Sequence, residues 1–190
     1  MLGQTGDLAT VFAVPVLTVL PSSRHRWREA RQRATMMRIL PGDLGDPRVT
    51  GLLLTHLASA RAQTARGSAH ALDVAALQSP DISLWTIWEG EVLLGTGALK
   101  RITPEHGEVK SMHTAQSERR RGAGSAMLRH IIANAKAQGM SRLSLETGSW
   151  EHFRPAIALY GRHGFVECAP FAGYAPDPNS VFMTLDLRAP

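Results

Sequence analysis

A strand, a basic glycine-bearing turn and a strongly patterned helix follow one another between Gly107 and Gln138, and no other stretch constrains the fold as much. Leu128, Ile131, Ile132 and Ala135 recur on one face of the helix. Arg129, Asn134, Lys136 and Gln138 recur on the other, and Gly139 supplies a C-cap. Such a helix must bury its apolar stripe, and the strand Gly107 to Ala115 just before it offers a sheet to bury it on. The turn between them reads Arg119-Arg120-Arg121-Gly122-Ala123-Gly124-Ser125-Ala126. Backbone N–H groups in a first helical turn lack internal partners and carry the positive end of the macrodipole, which suits phosphate. Gly122 and Gly124 remove side chains that would hold an anion off the backbone, and three arginines attract one from a distance. The same residues also read as a solvated basic turn before an ordinary surface helix, so the context on both sides must decide.

That context is an alternation of strands and helices. Met37 to Leu40 reads as a strand ended by Pro41-Gly42-Asp43. Leucines 52, 53, 54 and 57 with alanines 58 and 60 predict a helix over Asp46 to Ala65, begun by Asp46-Pro47. Leu72 to Leu77 fits a second, short helix. Ile82 to Trp88 alternates as a strand, Glu89-Gly90 makes a tight turn, and Glu91 to Ile102 is its hairpin partner. Glu108 to Ala115 completes the meander. Beyond the patterned helix come a strand at Leu143 to Thr147 and a helix from Pro155 to Gly164. Two closing strands, Phe165 to Cys168 and Val181 to Leu187, are separated by the turn-rich loop Ala169 to Ser180. This order predicts an α/β fold: a mixed, mostly antiparallel sheet of about six to seven strands flanked by about four helices.

Composition narrows the function classes. A chain of 190 residues with 44% hydrophobic and 19% charged residues suits one soluble globular domain. Net charge is +5, but Arg24, Arg26, Arg28, Arg31 and Arg33, against Asp7 and Glu29, supply most of it within residues 1–36. Little is left for a nucleic-acid face, and no aromatic interleaving accompanies the arginines. Residues 1–36 are expected to be a poorly ordered extension, with the domain over 37–190. The apolar run Leu8 to Leu20 is too short to span a bilayer and contains Pro15. Its arginines follow it, whereas a secretory signal carries its charge first, so neither a membrane role nor export is expected. Cys168 is the only cysteine, which rules out an internal disulfide and fits the cytoplasm. The histidines show no metal-ligand spacing and no CxxC occurs, so no metal is expected. No GxxxxGK[ST] occurs either, which disfavours a nucleotide-hydrolysing loop.

Two motifs together resemble those of the GNAT superfamily of acyl-CoA-dependent N-acetyltransferases. Arg119 to Gly124 meets Q/R-x-x-G-x-G/A, and Ala156 to Phe165 meets A-x-x-L-Y-x-x-x-G-F, in the expected order and after the right strand. Gly107 to Met112, Leu145 to Ser149 and Asp177 to Met183 are similar to a bacterial branch labelled YsnE-like. The resemblance covers about Met37 to Leu187 and implies a GNAT-like fold with acetyl-CoA as cosubstrate. It implies that the CoA diphosphate sits on backbone N–H groups of the segment Arg119, Arg120, Arg121, Gly122, Ala123, Gly124, Ser125 and Ala126. The pantetheine arm would run beside Met112, His113 and Thr114, where the strand splays from its parallel neighbour, with an N–H near Met112 or His113 on the thioester oxygen.

The reaction so implied is direct attack by a primary amine of a small molecule, amino acid or peptide, without an acyl-enzyme at Cys168. Glu108, eleven residues before Arg119, matches the carboxylate that serves as base in one branch of the family. Strand parity sets Lys110 beside it, which would lower its pKa, and a plain solubilising pair is the competing reading. Glu146 and His113 are the lesser candidates. Tyr160 occupies the position of the family's usual general acid, although a tyrosine there could be plain core. Phe153 stands where many relatives carry Asn, seven residues before that tyrosine. Trp85, Trp88, Trp150, Phe171 and Tyr174 are candidates to line an acceptor pocket, and Lys100 and Lys110 would favour an acceptor bearing a carboxylate. A non-catalytic acyl-CoA-binding module is the alternative function, and a homodimer is compatible with either.

Overall fold

The computed structural model describes residues 37–62 and 72–188, so the expectation for residues 1–36 lies outside the described residues. In chain order the elements are β1 (Met37–Pro41), α1 (Pro47–Ala62), β2 (Ile82–Glu89), β3 (Val92–Thr103) and β4 (His106–Thr114). There follow α2 (Ala123–Ala137), β5 (Arg142–Gly148), α3 (Arg154–Arg162), β6 (Val166–Glu167) and β7 (Ser180–Asp186). The seven strands form one sheet in the order β1-β2-β3-β4-β5-β7-β6, antiparallel throughout except for β4 beside β5. The expected mixed, mostly antiparallel sheet is present. The described residues contain three α-helices rather than about four. Leu72 to Leu77 is not a helix: only a 3-10 turn forms at Ala76–Gln78, where the Ala76 N–H is drawn to Asp73 Oδ1 at 2.7 Å. Pro80 follows too soon for the turn to lengthen.

Local chemistry sets the helix ends. Asp46 caps α1, its Oδ1 accepting the Arg48 N–H at 2.8 Å. At the far end of α2 the Met140 N–H reaches the Ala135 carbonyl and the Gly139 N–H reaches that of Lys136. That pattern requires a left-handed residue, and Gly139 provides it at φ 78°. α3 ends the same way, with Gly164 at φ 88° and the Phe165 N–H donating to the Tyr160 carbonyl. The spacing Y-x-x-x-G-F is thus a helix-ending device that also fixes the backbone of Tyr160.

The sheet separates two cores. Met127, Leu128, Ile131 and Ala135 of α2 pack with Tyr160 and Phe165 on the inner side chains Leu94, Leu99, Leu143 and Leu145. Burial of side chains such as Leu128 and Ile131, fully enclosed here, contributes about 2 kcal/mol each. A smaller cluster joins Val49 and Leu53 of α1 to Leu77, Trp88 and Ala98.

One irregularity shapes the functional end of the sheet. β4 and β5 pair only from His106–Arg142 to Glu108–Ser144, after which no ladder continues. On its other side β4 stays paired with β3, but the register slips so that Ser111 and Met112 lie opposite Gly97 alone. Ser111 takes φ 51° at this bulge, and such an extra residue bends its strand. A Cβ at Gly97 would lie 2.6 Å from Met127 Cγ and 2.9 Å from Met112 Sδ, so the bulge needs glycine opposite it. The bend carries β4 away from β5 and opens a fork.

Candidate active site

The fork is the inner end of a cleft of about 790 Å³ that runs to the head of α2. Its walls come from Val109 to Thr114 of β4, Glu146 to Gly148 of β5, Leu159 and Tyr160 of α3, and His56 of α1. Because β4 has lost β5 here, its outer backbone edge faces the cleft rather than a neighbouring strand.

At the outer end Gly122, Ala123, Gly124 and Ser125 line the cleft. Gly122 precedes the helix at φ 92°, and Ala123, Gly124 and Ser125 form its first turn, with N–H groups that have no intrahelical acceptor. Ala126 belongs to the helix instead: its N–H donates to the Gly122 carbonyl at 3.0 Å, and it does not line the cleft. The approach at Gly124 is close, since an added Cβ would meet Leu159 Cδ2 at 3.3 Å and Thr114 Oγ1 at 3.4 Å. The three arginines, alike in sequence, part company. Arg119 and Arg120 line the cleft together with Arg162. Arg121 turns its guanidinium away and ion-pairs with Glu89 and Glu118.

Met112, His113 and Thr114 line the middle of the cleft, where β4 has left β5. His113 stacks at 4.9 Å between ring centroids with His56, a residue that no sequence motif marks. Both imidazoles are held at about 4, below their usual range. For His56 burial is the main cause and the Lys110 charge adds to it. For His113 burial again leads, followed by His56, Arg119 and His152. Both are therefore neutral near pH 7.

The inner end collects titratable side chains. Tyr160 is 6% exposed, and its hydroxyl is held protonated well above the usual phenol range, by burial first and then by the Glu146 charge. Glu146 lines the same cleft, and its Oε1 accepts the Ser180 hydroxyl at 2.7 Å. Glu108 has another setting. It is 4% exposed and does not line the cleft; its Oε1 accepts both the Tyr174 hydroxyl at 2.6 Å and Lys110 Nζ at 3.2 Å. Lys110, which does line the cleft, also donates to the Tyr174 oxygen at 2.8 Å. Tyr174 thereby ties the loop between β6 and β7 to a buried ion pair.

The aromatic residues expected around an acceptor lie elsewhere. Trp85 and Trp88 belong to the two cores, and Trp150 is exposed. Phe171 and Tyr174 cluster with Phe182. Lys100 does not line the cleft either. Phe153 does, with its ring against Gly148, so it forms wall where a hydrogen-bonding Asn was the alternative. Cys168 lies outside the cleft, and burial raises its thiol pKa. Among the described residues no group of three or more His, Cys, Asp or Glu side chains is gathered to hold a metal, and no helix is long and apolar enough to cross a membrane.

Comparisons with known proteins bear on the family and the fold. The family model described as Acetyltransferase (GNAT) family matches residues 54–165. The chain is 47% identical over 151 residues to an uncharacterized N-acetyltransferase, YsnE of Bacillus subtilis, covering 80% of this chain and 100% of the relative. It is 45% identical over 152 residues to another, YedL of Escherichia coli, covering 80% and 96%. A crystal structure of a Bacillus subtilis acetyltransferase in complex with CoA superposes at a TM-score of 0.60 with 20% identity, over 79% of this chain and 98% of that one, which speaks to the fold.

Proposed function

The chain belongs to the acetyltransferase (GNAT) family, an acyltransferase family, and on that premise we propose that it moves an acetyl group from acetyl-CoA directly to a primary amine of a small molecule, amino acid or peptide. The observation that carries the proposal is the single cleft joining unpaired helix-start amides, a strand edge without its neighbour, and a buried tyrosine.

The residues present fit a diphosphate-bearing thioester. Amides of Gly122, Ala123, Gly124 and Ser125, with Arg119 and Arg120 at the rim, suit the diphosphate. The free edge of β4 at Met112, His113 and Thr114 suits the amide-containing arm. When bound, acetyl-CoA supplies an activated acyl group with a thiolate as leaving group.

Two proton movements then fall to the chain. A protonated amine cannot attack, and Glu146 is the carboxylate that lines the cleft, so it takes the amine proton directly or through water. Glu108, the expected base, is better suited to anchoring Lys110, because it does not line the cleft and its Oε1 already accepts two hydrogen bonds. Tyr160 would donate its proton to the leaving sulfur and regain one from the acylated nitrogen, which sheds its second proton as the amide forms, while Glu146 releases its own to water. The two events reinforce each other: the Glu146 charge helps hold the Tyr160 proton, so protonating Glu146 eases its release.

The test is steady-state release of CoA thiol across a panel of amines, amino acids and peptides. Tyr160→Phe is expected to lower kcat about 100-fold while CoA affinity stays within about threefold. Equal turnover by the wild type and Tyr160→Phe would remove Tyr160 from the mechanism. CoA binding without turnover of any amine would favour an acyl-CoA-binding module.

A further inference from the structure

The arginine that does not face the cleft has a different task from the two that do. We propose that Arg121 is a positioning residue: clamped between Glu89 and Glu118, it holds the glycine turn in the shape that presents the α2 amides. This rests on the proposed seat for the CoA diphosphate.

The turn is costly to form. Arg120 takes φ 63°, a left-handed conformation in which a non-glycine residue is strained. Gly122 follows at φ 92°. Two left-handed residues astride Arg121 reverse the chain and aim the amides of Ala123, Gly124 and Ser125 outward. Something must keep this conformation populated when no anion is present. Arg121 is the residue between the two, and its guanidinium reaches in two directions. One nitrogen pairs with Glu118, in the short 3-10 turn Gln116–Glu118 that leads in from β4. The other pairs with Glu89, whose backbone is fixed in the sheet opposite Met37 on one side and Val92 on the other. The clamp therefore fastens a strained turn to the rigid hairpin of β2 and β3. The three side chains are partly exposed, at 27% for Arg121, 23% for Glu89 and 15% for Glu118, so the pairs fix geometry more than they add energy. Arg121 Nε is buried without a hydrogen-bond partner, which indicates that the guanidinium is placed for its two carboxylates rather than for its own solvation.

Electrostatics and positioning predict opposite signs for one substitution. Glu89→Gln removes a negative charge near the turn, so long-range attraction for a polyanion would rise. If the clamp sets the turn, affinity falls instead. The experiment is calorimetric titration of the full chain with free CoA at several KCl concentrations. We expect Glu89→Gln to weaken CoA about three- to tenfold and Arg121→Ala about tenfold. In the Glu89→Gln background, Arg120→Gly should bind CoA at least threefold tighter than Arg120→Ala, since both lose the same charge and only glycine occupies φ 63° without strain. Arg119→Ala and Arg120→Ala should flatten the salt dependence, whereas Glu89→Gln should leave its slope intact or steeper. Should Arg121→Ala fail to fold, Glu89→Gln and its Arg120→Gly and Arg120→Ala derivatives carry the test. Unchanged or tighter binding by Glu89→Gln, or equal binding by Arg120→Gly and Arg120→Ala in its background, would overturn the assignment. Absence of heat from the wild type would instead remove the CoA seat itself, and the positioning role with it.

Discussion

The outer and inner ends of the cleft are built by different means. At the outer end the proposed chemistry is carried by the main chain: amides at the head of α2, set by left-handed Arg120 and Gly122 and by the close approach at Gly124. At the inner end it is carried by side chains from separate elements. Glu146 comes from β5, Tyr160 from α3 and Lys110 from β4, with Tyr174, outside the cleft in the loop before β7, bonded to Lys110. A main-chain site is specified by a few adjacent residues and tolerates almost any side chain that does not obstruct it. A side-chain site depends on every element that converges there, and its charges adjust one another. Glu108, Lys110 and Tyr174 form a closed network, while the Lys110 charge helps keep His56 neutral. Damage at the outer end should therefore remove binding, and damage at the inner end should remove chemistry or selectivity while binding survives.

The largest expected effect separates the ends most sharply. Gly124→Glu puts a Cβ against Leu159 and Thr114 and a carboxylate where the diphosphate would sit. CoA affinity should fall by more than about 100-fold, equivalent to roughly 3 kcal/mol, with a folded protein by circular dichroism. Retained affinity would mean that the amides are not the anion seat. Next comes Glu146→Gln, which leaves the outer end untouched. It should cut kcat about 100-fold while calorimetry finds CoA affinity within about twofold. Equal losses in binding and turnover would erase the division between the ends.

A third effect reads the histidines. His56 and His113 are held at about 4 when folded against 6.5 for an unperturbed imidazole. As pH falls below 6.5 the unfolded chain takes up protons that the folded chain refuses, so stability is full above that value and drains away toward pH 4. Unfolding free energy should drop by about 2 kcal/mol between pH 7 and 5 after allowing for partial exposure, and His56→Phe should lessen the drop. Urea titrations at the two pH values check this. The smallest effect is Tyr174→Phe, which removes hydrogen bonds to Glu108 and Lys110. It should cost about 1 kcal/mol of stability, with KM for the amine changing while CoA affinity does not.

The contrast between the ends also explains which features are legible in the amino-acid sequence. The turn and α2 are legible because their signals are local: glycines at fixed offsets and a 3.6-residue apolar period. The motif ending in Gly164-Phe165 is legible for the same reason, since it encodes a helix stop that fixes Tyr160. The three arginines are not separable by sequence, because what divides Arg121 from Arg119 and Arg120 is Glu89, remote along the chain on another strand. Glu108 stands out by its offset from the turn, yet its role depends on Tyr174, sixty-six positions away. His56 gives no signal, as a lone histidine on a helix has no partner until the fold brings His113 to it. The bulge at Ser111 leaves one trace in the sequence, Gly97 inside a strand, and glycine there marks a bulge or a close backbone approach.

The most direct measurement is a nitrogen-15 correlation spectrum of the full chain titrated with free CoA, followed amide by amide. The largest displacements are expected on Gly122, Ala123, Gly124 and Ser125, with a second group at Met112, His113 and Thr114. Saturation of the protein by CoA with those seven amides unmoved would contradict it.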